Sequence, residues 1–203
     1  RLACRYVWEY NLRRRWRTMS SSPRTIRRLF LRPFCRSDLE RILDWRSDPR
    51  SLAYWSNRRA LVPVEQAEAE FYADLKADMH VFQIICHSKY GEIGAIYSYD
   101  AQFVDQHCWV TIYLEEEHRN RGLGAIATAM FVDYLFTYFS FRKLYFDVYE
   151  YNALSLSSLE SFGLKVEGSF PEHRYFNDEW HSLKRLALYR ESLVKVRTLL
   201  GKM

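Results

Sequence analysis

The 203-residue chain is 48% hydrophobic and 17% aromatic, which supplies a substantial packed core and excludes a disordered chain. Its net charge of +5 at pH 7 is local: residues 1–18 hold six Arg and one Glu, so the rest of the chain is balanced, and a charge-driven nucleic-acid role for the folded body loses its support. No apolar run approaches membrane-spanning length and no signal-peptide core is visible, so no membrane partner is expected.

Residues 1–24 are expected to form a basic, flexible N-terminal extension, and residues 25–203 a single folded domain. The chain starts with Arg, and Met19 is followed by Ser-Ser-Ser-Pro. Residues 1–18 therefore read in three ways: a stretch preceding the natural start, an Arg-rich organellar targeting segment, or a basic arm for an anionic partner. The four cysteines, Cys4, Cys35, Cys86 and Cys108, form no Cys-x-x-Cys pair. Cys86–His87 and His107–Cys108 are neighbours in strand-like runs, where adjacent side chains point to opposite faces. No metal site is expected, and reduced thiols in a cytoplasmic protein are.

In chain order, TIRRLFLRPF (25–34) reads as a strand. Ser37 and Glu40 are spaced as a capping box, opening a helix with Leu39, Ile42, Leu43 and Trp45 on one face. A loop bounded by Pro49 and Pro63 follows, then a second helix over 64–78 with apolar positions 64, 67, 71, 72 and 75. Residues 80–88 and 93–100 flank the turn 89–92 as a hairpin, and 108–114 is another strand. A helix runs from about Gly122 to Phe139, a strand over 143–150, a helix ending at Gly163, and strands at 164–170 and 180–192, with some helix possible in the tail. The order β-α-α-β-β-β-α-β-α-β-β, without repeats, indicates one mixed α/β domain.

The junction EEEHRNRGLGAIATAM (115–130) carries the strongest chemical signal. Glycines allow a tight turn and close approach to backbone amides, and a helix N-terminus offers unpaired N–H groups with partial positive charge. Arg119 and Arg121 oppose the helix dipole there, a conflict that a bound anion would remove. The competing reading is a solvated charge cluster, with Glu115, Glu116 and Glu117 neutralising the arginines. No Lys-Ser/Thr follows, as a Walker loop needs, and Ala127 stands where a dinucleotide turn needs its third Gly.

Arg119-x-x-Gly122-x-Gly124, between a strand and a long helix, resembles the pyrophosphate motif of the GCN5-related N-acetyltransferases (GNAT). Asn152-x-x-Ser155-x-x-x-Leu159-x-x-x-Gly163-Leu164 resembles the second half of the family's pattern, and the likeness runs over about residues 25–192. Leu159 stands where many members carry the Tyr thought to protonate the departing thiolate. That pattern, with the Leu-Arg-Pro opening and Trp-Arg-Ser-Asp-Pro, looks closest to the ribosomal-protein alanine N-acetyltransferase branch, which shades into polyamine and amino-sugar acetyltransferases.

The resemblance implies a mixed, mostly antiparallel sheet of six to seven strands flanked by about four helices, with acetyl-CoA as cosubstrate. Ile112, Tyr113 and Leu114 would offer backbone groups to the pantetheine arm, and Arg119, Asn120, Arg121, Gly122, Leu123, Gly124 and Ala125 would hold the pyrophosphate. Asn152 and Ser155 would sit at the thiol end. Glu150 and Glu115 are candidates for a base from their location, and Ser155 for delivering the leaving-group proton. A Glu common in the strand before the turn is missing from HCWVTIY. Trp45, Tyr54, Trp55, Arg58 and Tyr175 are candidates for acceptor contact, with core packing as the competing reading.

The expected activity is acetyl transfer to a primary amine, a protein N-terminus or a small amine, by a monomer or homodimer. An amino-sugar or polyamine acceptor, or a silent acyl-CoA-binding module, are the alternatives. A polyamine would draw on carboxylates such as Asp38, Asp44, Asp48, Glu65 and Glu68.

Overall fold

Apolar residues alternate along Leu29–Pro33 (β1) and Lys143–Tyr149 (β5), and in each strand the apolar set faces the core. Met79–His87 (β2), Gly91–Gln102 (β3), His107–Leu114 (β4) and Glu179–Tyr189 (β7) also bury apolar residues, while Lys165–Phe176 (β6) is mostly exposed. Five helices are interspersed among the described residues: Leu39–Ser47 (α1), Val64–Ala77 (α2), Leu123–Tyr138 (α3), Ala153–Ser161 (α4) and Leu193–Lys202 (α5). The computed structural model describes residues 28–48, 53–54 and 62–202. The basic extension, Trp55 and Arg58 lie outside them.

The seven strands form one sheet in the order β1-β2-β3-β4-β5-β7-β6. Every neighbouring pair is antiparallel except β4 and β5. That parallel ladder covers only His107–Lys143, Cys108–Leu144 and Trp109–Tyr145. Beyond it, β4 stays bonded to β3 as far as Leu114, and β5 stays bonded to β7 as far as Tyr149. The sheet therefore parts down its middle above Trp109 and Tyr145.

One face of the sheet is covered by α3 and α5. Ten residues of α3 are buried, Phe131, Val132 and Leu135 completely, so the helix is apolar nearly all round. Arg190 closes its C-terminal end by donating to the carbonyls of Phe136, Phe139 and Phe141, where the helix dipole favours a cation. The other face, over β2–β4, is covered by α1 and α2 through Ile42, Trp45 and Phe71 packed on Phe82, Ile84, Ala95 and Tyr113.

Two sequence expectations are corrected, and the helix allowed for in the tail is found. Ser37 and Glu40 do not make the capping box. The chain enters α1 through a tight turn at Arg36–Asp38, and the Asp38 carboxylate accepts the Cys35 N–H at 2.8 Å. Asp38 is drawn inward because Arg32 donates to both its oxygens, at 2.6 and 2.7 Å. Strand β6 runs past Phe170 to Phe176 and turns through Asn177 and Asp178, both at positive φ, into β7. Asn and Asp tolerate that conformation, so the hairpin turn was readable. The tail from Leu193 is a full helix, with Val196 and Leu200 completely buried.

Candidate active site

The gap between β4 and β5 is bounded by two turns that both lead into helices. On the β4 side, a Cβ on Gly94 would stand 2.1 Å from the Tyr113 carbonyl oxygen, so only glycine lets β3 close on the end of β4. After Leu114 the chain makes a short turn over Glu116–His118. Asn120 and Gly122 then both adopt positive φ, 59° and 75°. A Cβ on Gly124 would lie 3.2 Å from Leu114 Cδ1, so α3 starts hard against the end of β4. The first hydrogen bond at this start is Ile126 N–H to the Gly122 carbonyl, which leaves the amides of Leu123, Gly124 and Ala125 in the helix's unpaired positive end. There is no acidic residue in this first turn, and Arg121 is exposed beside it.

Arg119 behaves differently from a phosphate-facing charge. Its Nε–H donates to the Leu114 carbonyl at 2.8 Å, and its guanidinium lies over the rings of Tyr113 and Tyr54, 5.7 and 6.0 Å from their centroids. It ties the turn to the strand end. On the β5 side, Asn152 occupies the N-cap position of α4 without using its side chain as a cap, and Ser155 is half-buried in the first turn. Leu159 packs against the main core and places no hydroxyl there. The residues thus fit an anionic, extended ligand: unpaired amides, a cation and close glycine approach at one end of a gap whose walls carry unladdered backbone.

The expected carboxylates take different positions. Glu115 Oε1 accepts from Trp45 Nε1 at 2.9 Å and Arg41 Nη2 at 3.0 Å. Glu150 is exposed and accepts the Ser182 N–H at 2.9 Å, a bond that holds its carboxyl below the ordinary value. That bond turns it toward β7 and away from the gap.

Among the acceptor candidates, Trp45 stands 5.5 Å from Tyr113, centroid to centroid. Tyr54 joins Tyr151 and Phe176 at 5.6 and 6.5 Å. Tyr175 does not join them: it is exposed and packs on Trp180, because neighbouring strand residues face opposite ways and Phe176 takes the inward place. A cleft of about 670 Å³ opens beside Tyr113, lined also by Arg41, Asp48, Glu115, Glu116 and Glu117. From the sequence, Glu115–Glu117 stand as partners for the arginines, with Glu115 also a candidate base, and Tyr151 and Phe176 carry no signal. The aromatic pairing became visible only once the β6–β7 turn was located. Glu115, Glu117 and His118 also bring ligand-type atoms within 4.8 Å of one another. Among the described residues, no helix is long and apolar enough to cross a membrane.

A mixed sheet opened between two parallel strands, with a glycine-led helix start at the gap, defines the class: an acyl-CoA-using acyltransferase fold. The family profile described as "Acetyltransferase (GNAT) domain" matches residues 28–165, well over half of the chain, and the chain belongs to that family. It is an acetyl-CoA-dependent N-acetyltransferase, acting on an amine acceptor with acetyl-CoA as cosubstrate. Spermidine N(1)-acetyltransferase of Escherichia coli (strain K12) is 21% identical over 160 residues, 79% of this chain and 85% of that one. The crystal structure of spermidine N-acetyltransferase from Vibrio cholerae in complex with CoA and spermine aligns at a TM-score of 0.74 and 20% identity, over 82% of this chain and 98% of that one. The dodecameric form of the Vibrio cholerae enzyme aligns at a TM-score of 0.69 and 18% identity, over 81% and 95%. These relatives are spermidine enzymes, whereas the Asn152–Leu159 pattern led to an expectation of the ribosomal-protein alanine acetyltransferase branch.

Proposed function

We propose that the acceptor is a cationic, polyamine-type amine that enters through the cleft beside Tyr113. The observation that carries this reading is the cleft's lining, in which four carboxylates (Asp48, Glu115, Glu116 and Glu117) face one Arg. Such a wall raises the local concentration of a polycation and favours it over a neutral amino sugar. The spermidine relatives support the same choice. Of the carboxylates expected for such an acceptor, Asp48 lines the cleft, whereas Asp38 is committed to Arg32.

In this reading the amides of Leu123, Gly124 and Ala125, with Arg121, hold the pyrophosphate, and the free edges of β4 and β5 hold the pantetheine arm. Asn152 and Ser155 stand at its thiol end. The neutral amine nitrogen bonds to the acetyl carbon, the carbon–sulfur bond breaks, and one amine proton ends on the sulfur: R–NH2 and the thioester become the N-acetyl amine and the free thiol. A backbone N–H at the end of β4 stabilises the carbonyl oxygen as charge develops there. With Leu159 in the place of a Tyr, Ser155 is the hydroxyl available to relay the proton. Glu115 stands on the acceptor side and Glu150 does not, so Glu115 is the better placed of the two for the amine's proton.

A sequence-based expectation of a monomer or homodimer stands beside a dodecameric relative. The largely exposed edge strand β6 supports association of chains, and sedimentation would measure it. The function is tested by following thiol release from acetyl-CoA with spermidine, spermine, an alanine-terminated peptide and an amino sugar. Preference for the polyamines supports this reading, and preference for the peptide or sugar refutes it.

A further inference from the structure

A row of polar side chains crosses the sheet on the acceptor face where it parts. The parallel ladder ends at Trp109–Tyr145, so Thr111 and Asp147 occupy the next positions on that same face, one on each lip of the gap. Tyr99 of β3 stands opposite Trp109, on the same face as Thr111. Arg185 of β7 grips Asp147 with Nε at 2.8 Å and Nη2 at 2.7 Å. Below them Trp109 and Tyr145 pack at 4.9 Å, and the Arg185 guanidinium lies 5.0 and 5.6 Å from their ring centroids. Burial, and after it the Asp147 carboxylate, push the Tyr99 phenol above its ordinary value, so Asp147 is felt across the gap.

β4 carries no carboxylate between His107 and Leu114, so Asp147 is the nearest acid on the lips of the gap. Arg185 occupies one side of its carboxylate, and each oxygen keeps further lone-pair capacity. Thr111 offers a hydroxyl oxygen from the opposite lip. A primary amine approaching from this face has two or three N–H groups to satisfy, and two acceptors flanking the opening would aim its nitrogen into the gap.

We propose that Asp147 and Thr111 form a clamp that receives the reacting amine of the acceptor at the mouth of the β4–β5 gap, with Arg185 fixing the Asp147 arm. This rests on acetyl transfer taking place at that gap. It assigns two separate tasks: the clamp holds the amine that is acetylated, whatever the rest of the acceptor, and the acidic cleft recognises the remaining positive charge of a polyamine.

The test uses the full chain with two acceptors, spermidine and n-butylamine, the second having a single amine. Asp147→Asn should raise the KM of both by about tenfold with CoA affinity unchanged within twofold, a loss the size of one hydrogen bond to a charged group. Thr111→Val should raise both KM values by a smaller factor. Arg185→Gln, which loosens the Asp147 arm but leaves its carboxylate, should raise both KM values by a smaller factor than Asp147→Asn does. Glu116→Gln with Glu117→Gln should raise KM for spermidine only. Unchanged KM in Asp147→Asn overturns the clamp, and so does an equal rise in Arg185→Gln, which would make the pair a structural tie. A clamp effect without spermidine-selective loss in the Glu116/Glu117 variant would retain the clamp and remove the polyamine reading. If neither amine is turned over, calorimetric binding of spermidine to the CoA complex reads the same variants, and equal affinity for wild type and Asp147→Asn overturns the clamp.

Discussion

The Arg119 Nε–H donates to the Leu114 carbonyl at 2.8 Å, joining the last residue of β4 to the turn that precedes α3. The bond fixes the angle at which the helix start meets the gap. It also explains why two arginines in one motif should behave unlike each other. Arg119→Ala should weaken CoA binding by about tenfold through lost geometry, an effect that added salt leaves in place. Arg121→Ala should weaken it through lost charge, with a penalty that shrinks as salt screens the exposed site. Calorimetric titration of CoA at low and high salt separates the two, and identical salt dependence would contradict the assignment.

Gly122 and Gly124 are needed for different reasons. Gly122 sits at φ 75° with open space around its missing Cβ, so Gly122→Ala should cost about 1–2 kcal/mol of stability through backbone strain. Gly124 has ordinary backbone but a neighbour at 3.2 Å, so Gly124→Ala presses on Leu114 and shifts the helix start. Gly124→Asp adds a negative charge as well and should reduce CoA affinity more than tenfold, because it competes with the phosphates for the same helix end. Thermal melts and CoA titration on the three variants check the order. Unaltered CoA affinity in Gly124→Asp would remove the cradle.

Arg32 joins β1 to the entry of α1 and to β3, donating to Asp38 and, at 2.9 Å, to Glu92. Arg32→Met should destabilise the fold by about 3 kcal/mol, since it strands the buried Asp38 carboxylate. Hydrogen bonding to Arg32 holds the Glu92 carboxyl below its ordinary 4.5, so the folded chain takes up that proton less readily than the unfolded one. The resulting stability is complete above about pH 4.5 and is lost as pH falls through the lowered folded-state value. Glu92→Gln should therefore flatten the acid limb of a melting-temperature profile below about pH 4.5. A limb as steep as the wild type's would show that Glu92 does not contribute.

Burial pushes the thiols of Cys86 and Cys108 up to about 12, while Cys35 is half-buried. The thiolate is the reactive form, so of these three only Cys35 should be alkylated in the native protein near neutral pH. Peptide mapping after a short iodoacetamide pulse measures this. Rapid labelling of Cys108 would mean that the sheet beneath the gap opens readily.

Strand and helix periodicity made the body of the fold legible. Every strand and helix expected from residue 25 to 192 has its counterpart, because each carries its own apolar stripe or alternation. What stayed hidden depended on contacts between distant residues. Asp38 took the capping role from Ser37 because Arg32, six residues earlier, reaches it. The Asn177–Asp178 turn set which of Tyr175 and Phe176 faces inward. At the site, the glycine-led turn was readable because its shape is written in backbone chemistry over six consecutive positions. Asp147 was not, since a lone Asp in a strand acquires meaning only from the end of the β4–β5 ladder two residues before it. The acidic cleft was equally hidden, because Asp48 is brought to Glu115–Glu117 by the packing of α1 on β4.

The most direct test of acetyl transfer to a cationic amine is steady-state thiol release from acetyl-CoA by the purified chain with spermidine. Turnover with spermidine, a KM that rises with salt, and an N-acetylated product identified by mass are the expected results. Tight CoA binding without turnover on spermidine or spermine, or turnover only on a peptide N-terminus, would contradict it.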